Sequence, residues 1–107
     1  MSSYFVYILR CSDDSFYIGQ TTDLSKRITE HETGVLPKSY THSRRPVKLV
    51  WFGEFPTHEE AFAFERQIKG WSRAKKKALI DDDWDKIHQI VQDERKRRER
   101  KKKEADR

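Results

Sequence analysis

The first regular pattern in the chain is an unbroken apolar and aromatic run, Tyr4-Phe5-Val6-Tyr7-Ile8-Leu9. It is too short for a stable helix and rich in the residue types that fill a strand covered on both faces. Ser12-Asp13-Asp14-Ser15 follows, with short polar side chains that hydrogen-bond their own backbone in turns. A second run, Phe16-Tyr17-Ile18-Gly19, completes an antiparallel hairpin with a tyrosine on each arm. The rhythm then changes. Behind Asp23, a natural N-cap, Leu24, Arg27, Ile28 and His31 recur at three- and four-residue steps, which predicts a helix closed near Gly34. That helix puts an arginine and a histidine on its inward stripe, more polarity than a core requires.

A long polar connection, Val35 to Pro46, carries Lys38, Tyr40, Arg44 and Arg45, and it reads either as a solvated loop or as a phosphate-contacting one. Val47-Lys48-Leu49-Val50-Trp51-Phe52 predicts a third strand ending near Gly53. Thr57-His58-Glu59-Glu60 has the form of a capping box and starts a helix with Ala61, Phe64 and Ile68 as its apolar stripe. Glu65 falls among those core-facing positions, where an unpaired charge is costly. Either it pairs with Lys69 one turn on, or it serves as a metal ligand. Gly70 ends that helix, and Ser72 caps a short basic one, Arg73 to Ile80. Asp81-Asp82-Asp83 interrupts, Trp84, Ile87, Ile90 and Val91 suggest a last, weakly docked helix, and from Glu94 a frayed helix or mobile tail is expected. The resulting fold class is α/β (α+β), a three-stranded antiparallel sheet flanked by helices. Residues 1–80 form the domain, 81–93 a helix on or near it, and 94–107 a charged tail.

Composition sharpens this picture. The 107 residues suit one domain, with 12% aromatic residues against 38% charged ones. The net charge of +5 is concentrated at the end: residues 95–107 hold nine Lys/Arg and three Asp/Glu, so the remaining chain is close to neutral. Basic clusters, rather than net charge, are therefore the footprint to seek for a polyanion. Lys26, Arg44, Arg45, Lys69, Arg73, Lys75, Lys76 and Lys77 are the candidates for phosphate contact. One cysteine, Cys11, excludes an internal disulfide and a Cys-rich zinc site. With no basic-then-apolar leader and no membrane-length apolar run, a cytoplasmic protein is expected.

No phosphate-cradling glycine loop, dinucleotide fingerprint or His-Glu-x-x-His helix is present, and the four histidines lack metal-site spacing. Tyrosine, arginine, histidine, one carboxylate and nearby lysines remain. Those groups suit chemistry on a phosphodiester, with Arg steadying developing negative charge and a carboxylate holding a hard divalent ion.

Val6-Tyr7-Ile8, Tyr17-Ile18-Gly19, Leu24-x-x-Arg27-x-x-x-His31 and a later helix with Glu65 resemble the GIY-YIG nuclease superfamily, in particular its small stand-alone bacterial members. Phe5-Val6-Tyr7 replaces the first triplet and keeps its tyrosine, the second triplet is intact, and the resemblance spans residues 4 to about 80. It implies a metal-dependent phosphodiesterase, an endonuclease on DNA rather than RNA, working in repair or recombination. In it Tyr7 is the general base or passes the proton on, and Tyr17 stands beside it. Arg27 holds the scissile phosphate, and His31 contacts the phosphate or the phenol. Glu65 is the ligand to one Mg²⁺ or Mn²⁺, and Gly19 allows close backbone approach. Gln20 stands where some relatives carry lysine, and no asparagine lies a dozen residues beyond Glu65, which bears on how cleavage is activated. A monomer without small-molecule cofactor or membrane association is expected. The competing reading is a non-catalytic nucleic-acid-binding or repair-accessory module that keeps the fold.

Overall fold

A computed structural model describes residues 3–105, with side chains to Glu99. Strands β1 (Tyr4–Arg10), β2 (Phe16–Thr21) and β3 (Lys48–Phe55) form one antiparallel sheet in the order β2-β1-β3. The central place of β1 explains its unbroken apolar run. Val6, Ile8 and Leu9 are fully buried and Tyr7 is 1% exposed, so alternate residues meet a covering layer on each side.

Register divides the side chains between those layers. Tyr7 lies opposite Gly19 and Phe52, and Leu9 opposite Tyr17, so these side chains share one face. Helix α1 (Leu24–Thr33) covers that face, with the His31 ring 5.8 Å from Tyr7 and 5.0 Å from Tyr17. Val6 lies opposite Gly53, and Ile8 opposite Trp51, on the reverse face. There α2 (His58–Lys69) packs, its Phe64 ring 5.7 Å from Trp51 and 5.2 Å from Phe55.

The helix boundaries follow local chemistry. The Asp23 side chain accepts from the Lys26 N–H at 3.1 Å, and Gly34 closes α1 at φ 75°. Thr57 accepts from the Glu60 N–H at 3.2 Å to start α2. Strand β3 runs two residues past Gly53, the expected end. A Cβ on Gly53 would lie 2.6 Å from Cη2 of Trp51, so this glycine makes room for a ring inside the strand instead of terminating it.

Contacts divide the chain into Met1–Gly70 and Trp71–Arg107, earlier than the expected boundary at residue 80. In the second unit α3 (Arg73–Ile80) packs against α4 (Trp84–Ala105), with Ala78, Leu79 and Ile87 buried. Helix α4 continues through Glu94, where a frayed helix or tail was expected. Its start is secured by Asp83, which accepts from the Lys86 N–H at 3.0 Å. No helix among the described residues is long and apolar enough to cross a membrane.

Candidate active site

Four of the five expected catalytic side chains meet on the α1 face of the sheet. The three- and four-residue steps of α1 bring Arg27 and His31 down onto the strand tyrosines, since residues at that spacing share a helix face. The Tyr7 hydroxyl lies 2.9 Å from Nε2 of His31, and Nδ1 of the same ring lies 2.7 Å from Oγ1 of Thr41. Ser39 continues the chain of hydroxyls, its Oγ 3.0 Å from Thr41 Oγ1. His31 and Thr41 are both almost fully buried, so the imidazole is held at two points and cannot turn without losing a buried hydrogen bond.

Tyr17, Arg27 and His31 line an open pocket of about 430 Å³, closed on its other side by Leu36, Pro37, Lys38 and Ser39. Tyr7 lies behind this pocket rather than in its mouth. Gly19 is what lets it sit there. A Cβ on that residue would come 2.5 Å from the Tyr7 oxygen and 2.6 Å from Cζ. The close approach expected at Gly19 is therefore made by the Tyr7 ring.

Burial controls the protonation of the pair. The Tyr7 phenol is pushed well above the ordinary tyrosine range, first by desolvation and then by the neighbouring Tyr17, with the Arg27 guanidinium pulling the other way. His31 is lowered from its usual 6.5, first by burial and then by Arg27, against a smaller opposing effect of Glu30. At neutral pH both rings are uncharged. Arg27 supplies the positive charge beside them, and its Nε is buried without a hydrogen-bond partner. A buried donor of that kind is costly unless something fills it.

Glu65 lies on the opposite layer. Its carboxylate side chain is 13% exposed and pairs with Nζ of Lys69 at 2.6 Å, so the i,i+4 ion pair weighed from the sequence is formed. It joins neither the ring cluster nor that cluster's hydrogen bonds. No group of three or more His, Cys, Asp or Glu side chains suited to a metal occurs among the described residues. The donor chemistry still fits a hard divalent ion, because Mg²⁺ is commonly held by one or two carboxylates with water and phosphate oxygens completing its shell. Glu65 is the residue that would hold such an ion, in competition with its pairing to the half-exposed Lys69.

The other cations divide by their partners. Lys26 and Lys77 are exposed, as is Arg73, and Lys76 is half-buried. Lys75 is buried with Nζ 4.4 Å from the centre of the Trp71 ring, which makes it a packed residue instead of the phosphate contact expected. Arg44 and Arg45 are likewise occupied within the fold. Arg44 Nε donates to Asp13 Oδ2 at 3.1 Å, and Arg45 Nε donates to the His42 carbonyl at 3.0 Å with its guanidinium over Gly34.

The sequence reading missed Thr41, Ser39 and Tyr40. Tyr40 stacks on Tyr17, ring centres 6.2 Å apart at 17°, and the Arg44 guanidinium carbon lies 3.8 Å from the centre of the Tyr40 ring. The only signal was the polar Lys38-Ser39-Tyr40-Thr41 stretch in an unusually long connection, which marks a functional loop without assigning roles.

Residues 3–78 match the GIY-YIG catalytic domain. A UPF0213 protein from Haloquadratum walsbyi is 44% identical over 82 residues, 77% of this chain and 91% of that protein. One from Listeria monocytogenes is 46% identical over 79 residues, 74% of this chain and 88% of the relative. Among solved structures, the UPF0213 protein BH0048 from Bacillus halodurans superposes with a TM-score of 0.50 at 43% identity, covering 74% of this chain and 83% of that one. Protein EF2693 from E. faecalis gives 0.55 at 35% identity, covering 76% and 85%. The central β1, its hairpin partner and the Arg-His face of α1 are thus a family arrangement, and the chain belongs to the GIY-YIG family, among the UPF0213 proteins.

Proposed function

We propose that this protein is a metal-dependent endonuclease that hydrolyses phosphodiester bonds in DNA, acting in a reducing cytoplasmic setting. The observation that carries the reading is the orphaned, buried Nε of Arg27 beside two phenols and a neutral imidazole on an open pocket. A phosphate oxygen would satisfy that donor, and a guanidinium there strengthens as charge builds on the phosphoryl group.

The proton chemistry follows from the buried pair. Tyr7 is too weak an acid to rest as a phenolate, so it serves as a carrier between the phenol of Tyr17 and the imidazole of His31. In the tautomer that donates from Nδ1 to Thr41, Nε2 of His31 accepts the Tyr7 proton across the 2.9 Å contact. The proton leaving the attacking water thus passes along the phenols to the imidazole. Glu65 is the residue that would hold Mg²⁺ or Mn²⁺, and such an ion would supply charge neutralisation for the nucleic-acid backbone. Lys26 and Lys38 suit the flanking backbone phosphates.

The test is cleavage of single-stranded, duplex and branched DNA, and of RNA, with Mg²⁺, Mn²⁺ or EDTA. Arg27→Ala and Glu65→Ala should each abolish cutting while circular dichroism stays native. Equal activity in the wild type and both variants would sink the reading.

A further inference from the structure

We infer that Tyr40, clamped between Tyr17 and Arg44, is a positioning residue that fixes the Tyr17 phenol at the mouth of the pocket. The inference rests on the proposed nuclease reading for its consequence in catalysis, and on geometry for the clamp itself.

A closed circuit joins the β1–β2 turn to the connection between α1 and β3. The rings of Tyr17 and Tyr40 lie 17° from parallel at 6.2 Å, and the Arg44 guanidinium carbon lies 3.8 Å from the centre of Tyr40. Arg44 Nε donates to Asp13 Oδ2 at 3.1 Å, while Oδ1 of the same carboxylate accepts from the Ser15 hydroxyl at 2.6 Å. The Tyr40 hydroxyl donates to Ser15 Oγ at 3.0 Å and closes the loop. Two further bonds hold Arg44 in place. Its Nη1 donates to the Tyr40 carbonyl at 2.9 Å, and its own carbonyl accepts from the Ser12 N–H at 2.9 Å.

An isolated surface ion pair contributes little, and Arg44 and Asp13 are 35% and 48% exposed. This pair is not isolated. The ring it steadies is 43% exposed and would otherwise rotate freely in solvent. Instead its hydroxyl is bonded to Ser15, and its ring is held by the Arg44 guanidinium and the near-parallel Tyr17 ring. The side of the circuit that points inward is Tyr17, whose ring centre lies 5.0 Å from His31 and 6.2 Å from Tyr7. A partly buried tyrosine on a short strand keeps alternative rotamers, and the stacked Tyr40 ring disfavours them. The clamp therefore keeps one end of the proton path within bonding distance of the next group, which fixed geometry rewards with rate.

The experiment compares the full-length wild type, Tyr40→Ala and Tyr40→Phe, each with ¹³C-labelled tyrosine rings. Tyr17 signals are assigned through Tyr17→Phe. Tyr40→Ala should shift and broaden the Tyr17 ring signals while leaving Tyr4 unchanged. It should lower kcat by roughly 10- to 100-fold, with KM within about twofold. Tyr40→Phe keeps the stack and loses only the bond to Ser15, so it should recover kcat to within about threefold of the wild type. Unchanged Tyr17 signals in Tyr40→Ala would overturn the inference, and so would a Tyr40→Phe protein as impaired as Tyr40→Ala. If the wild type cuts no nucleic acid with either metal, the nuclease reading fails, and the Tyr17 spectrum alone decides whether the clamp exists.

Discussion

Gly19→Ala adds one methyl group where a buried aromatic ring leaves no space for it. The new Cβ would lie 2.5 Å from the Tyr7 oxygen, 2.6 Å from Cζ and 3.1 Å from Cε1, against an ordinary contact of 3.4–4 Å. Relief requires the ring to move by roughly 1 Å. The ring is 1% exposed and sits on the central strand, so it has no solvent to move into. The movement stretches the 2.9 Å bond to His31. Overpacking of this kind costs ~1–3 kcal/mol, and loosening a buried hydrogen bond adds ~1 kcal/mol, so the loss should be about 2–4 kcal/mol. A domain of this size carries about 5–15 kcal/mol, which leaves the variant folded. Urea denaturation should show a lower midpoint with an unchanged slope, and cleavage should fall by roughly 100-fold. The Tyr7→Phe background supplies the control. It removes the nearest atom, so Gly19→Ala should cost less there, and the double-mutant cycle should give a coupling of ~1 kcal/mol. Additive stability effects, or full activity in Gly19→Ala, would refute the placement of Tyr7 over Gly19.

Three further outcomes follow from the same geometry. His31 has a folded pKa below its usual 6.5, so the unfolded chain binds more protons there as pH falls. Its contribution to stability is present above pH 6.5 and is lost as pH falls from 6.5 through the depressed value, a slope in urea stability against pH that His31→Gln should flatten. Lys69→Met leaves the largely buried Glu65 carboxylate without its ammonium partner. It should cost ~1–2 kcal/mol in stability while tightening Mn²⁺ binding by roughly 3- to 10-fold in a paramagnetic-resonance titration, and weaker binding would count against Glu65 as the ligand. Ending the chain at residue 93 removes a net charge of +5, all of the excess positive charge. Nonspecific DNA affinity and its salt slope should drop in a filter-binding series while kcat holds within about twofold.

The sequence made the fold legible because its signals were local and agreed with one another. The apolar run of β1 announced a strand buried on both sides, and Asp23, Gly34, Thr57 and Ser72 marked helix ends that the backbone confirms. Gly53 misled because a glycine in a strand looks like a stop, while its role is steric room for Trp51. The cluster of Tyr7, Tyr17, Arg27 and His31 was legible from periodicity and from the family pattern. Its order in depth was not, since which phenol faces solvent depends on sheet register and on the cover that α1 provides. Thr41, Tyr40 and the occupation of Arg44 and Arg45 were hidden for a different reason. They arise from contacts between a turn and a loop some 25 to 31 residues apart, such as Tyr40 to Ser15 and Arg44 to Asp13, which no local pattern records.

The charges of the resting site explain how these parts work together. Burial raises Tyr7 and lowers His31, so both are neutral for one shared reason, and the pocket they back onto is left with the positive charge of Arg27. Across the sheet, Glu65 and Lys69 cancel. The resting protein thus has a cationic pocket on one layer of the sheet and an internally neutralised ion pair on the other. On the proposed nuclease reading, a phosphodiester entering the pocket would bring negative charge to Arg27 with no side chain having to ionise beforehand. The neutral phenol–imidazole pair would then pass a proton from oxygen to Nε2 across the 2.9 Å contact. Preorganisation of this kind places the cost of desolvation on folding rather than on turnover.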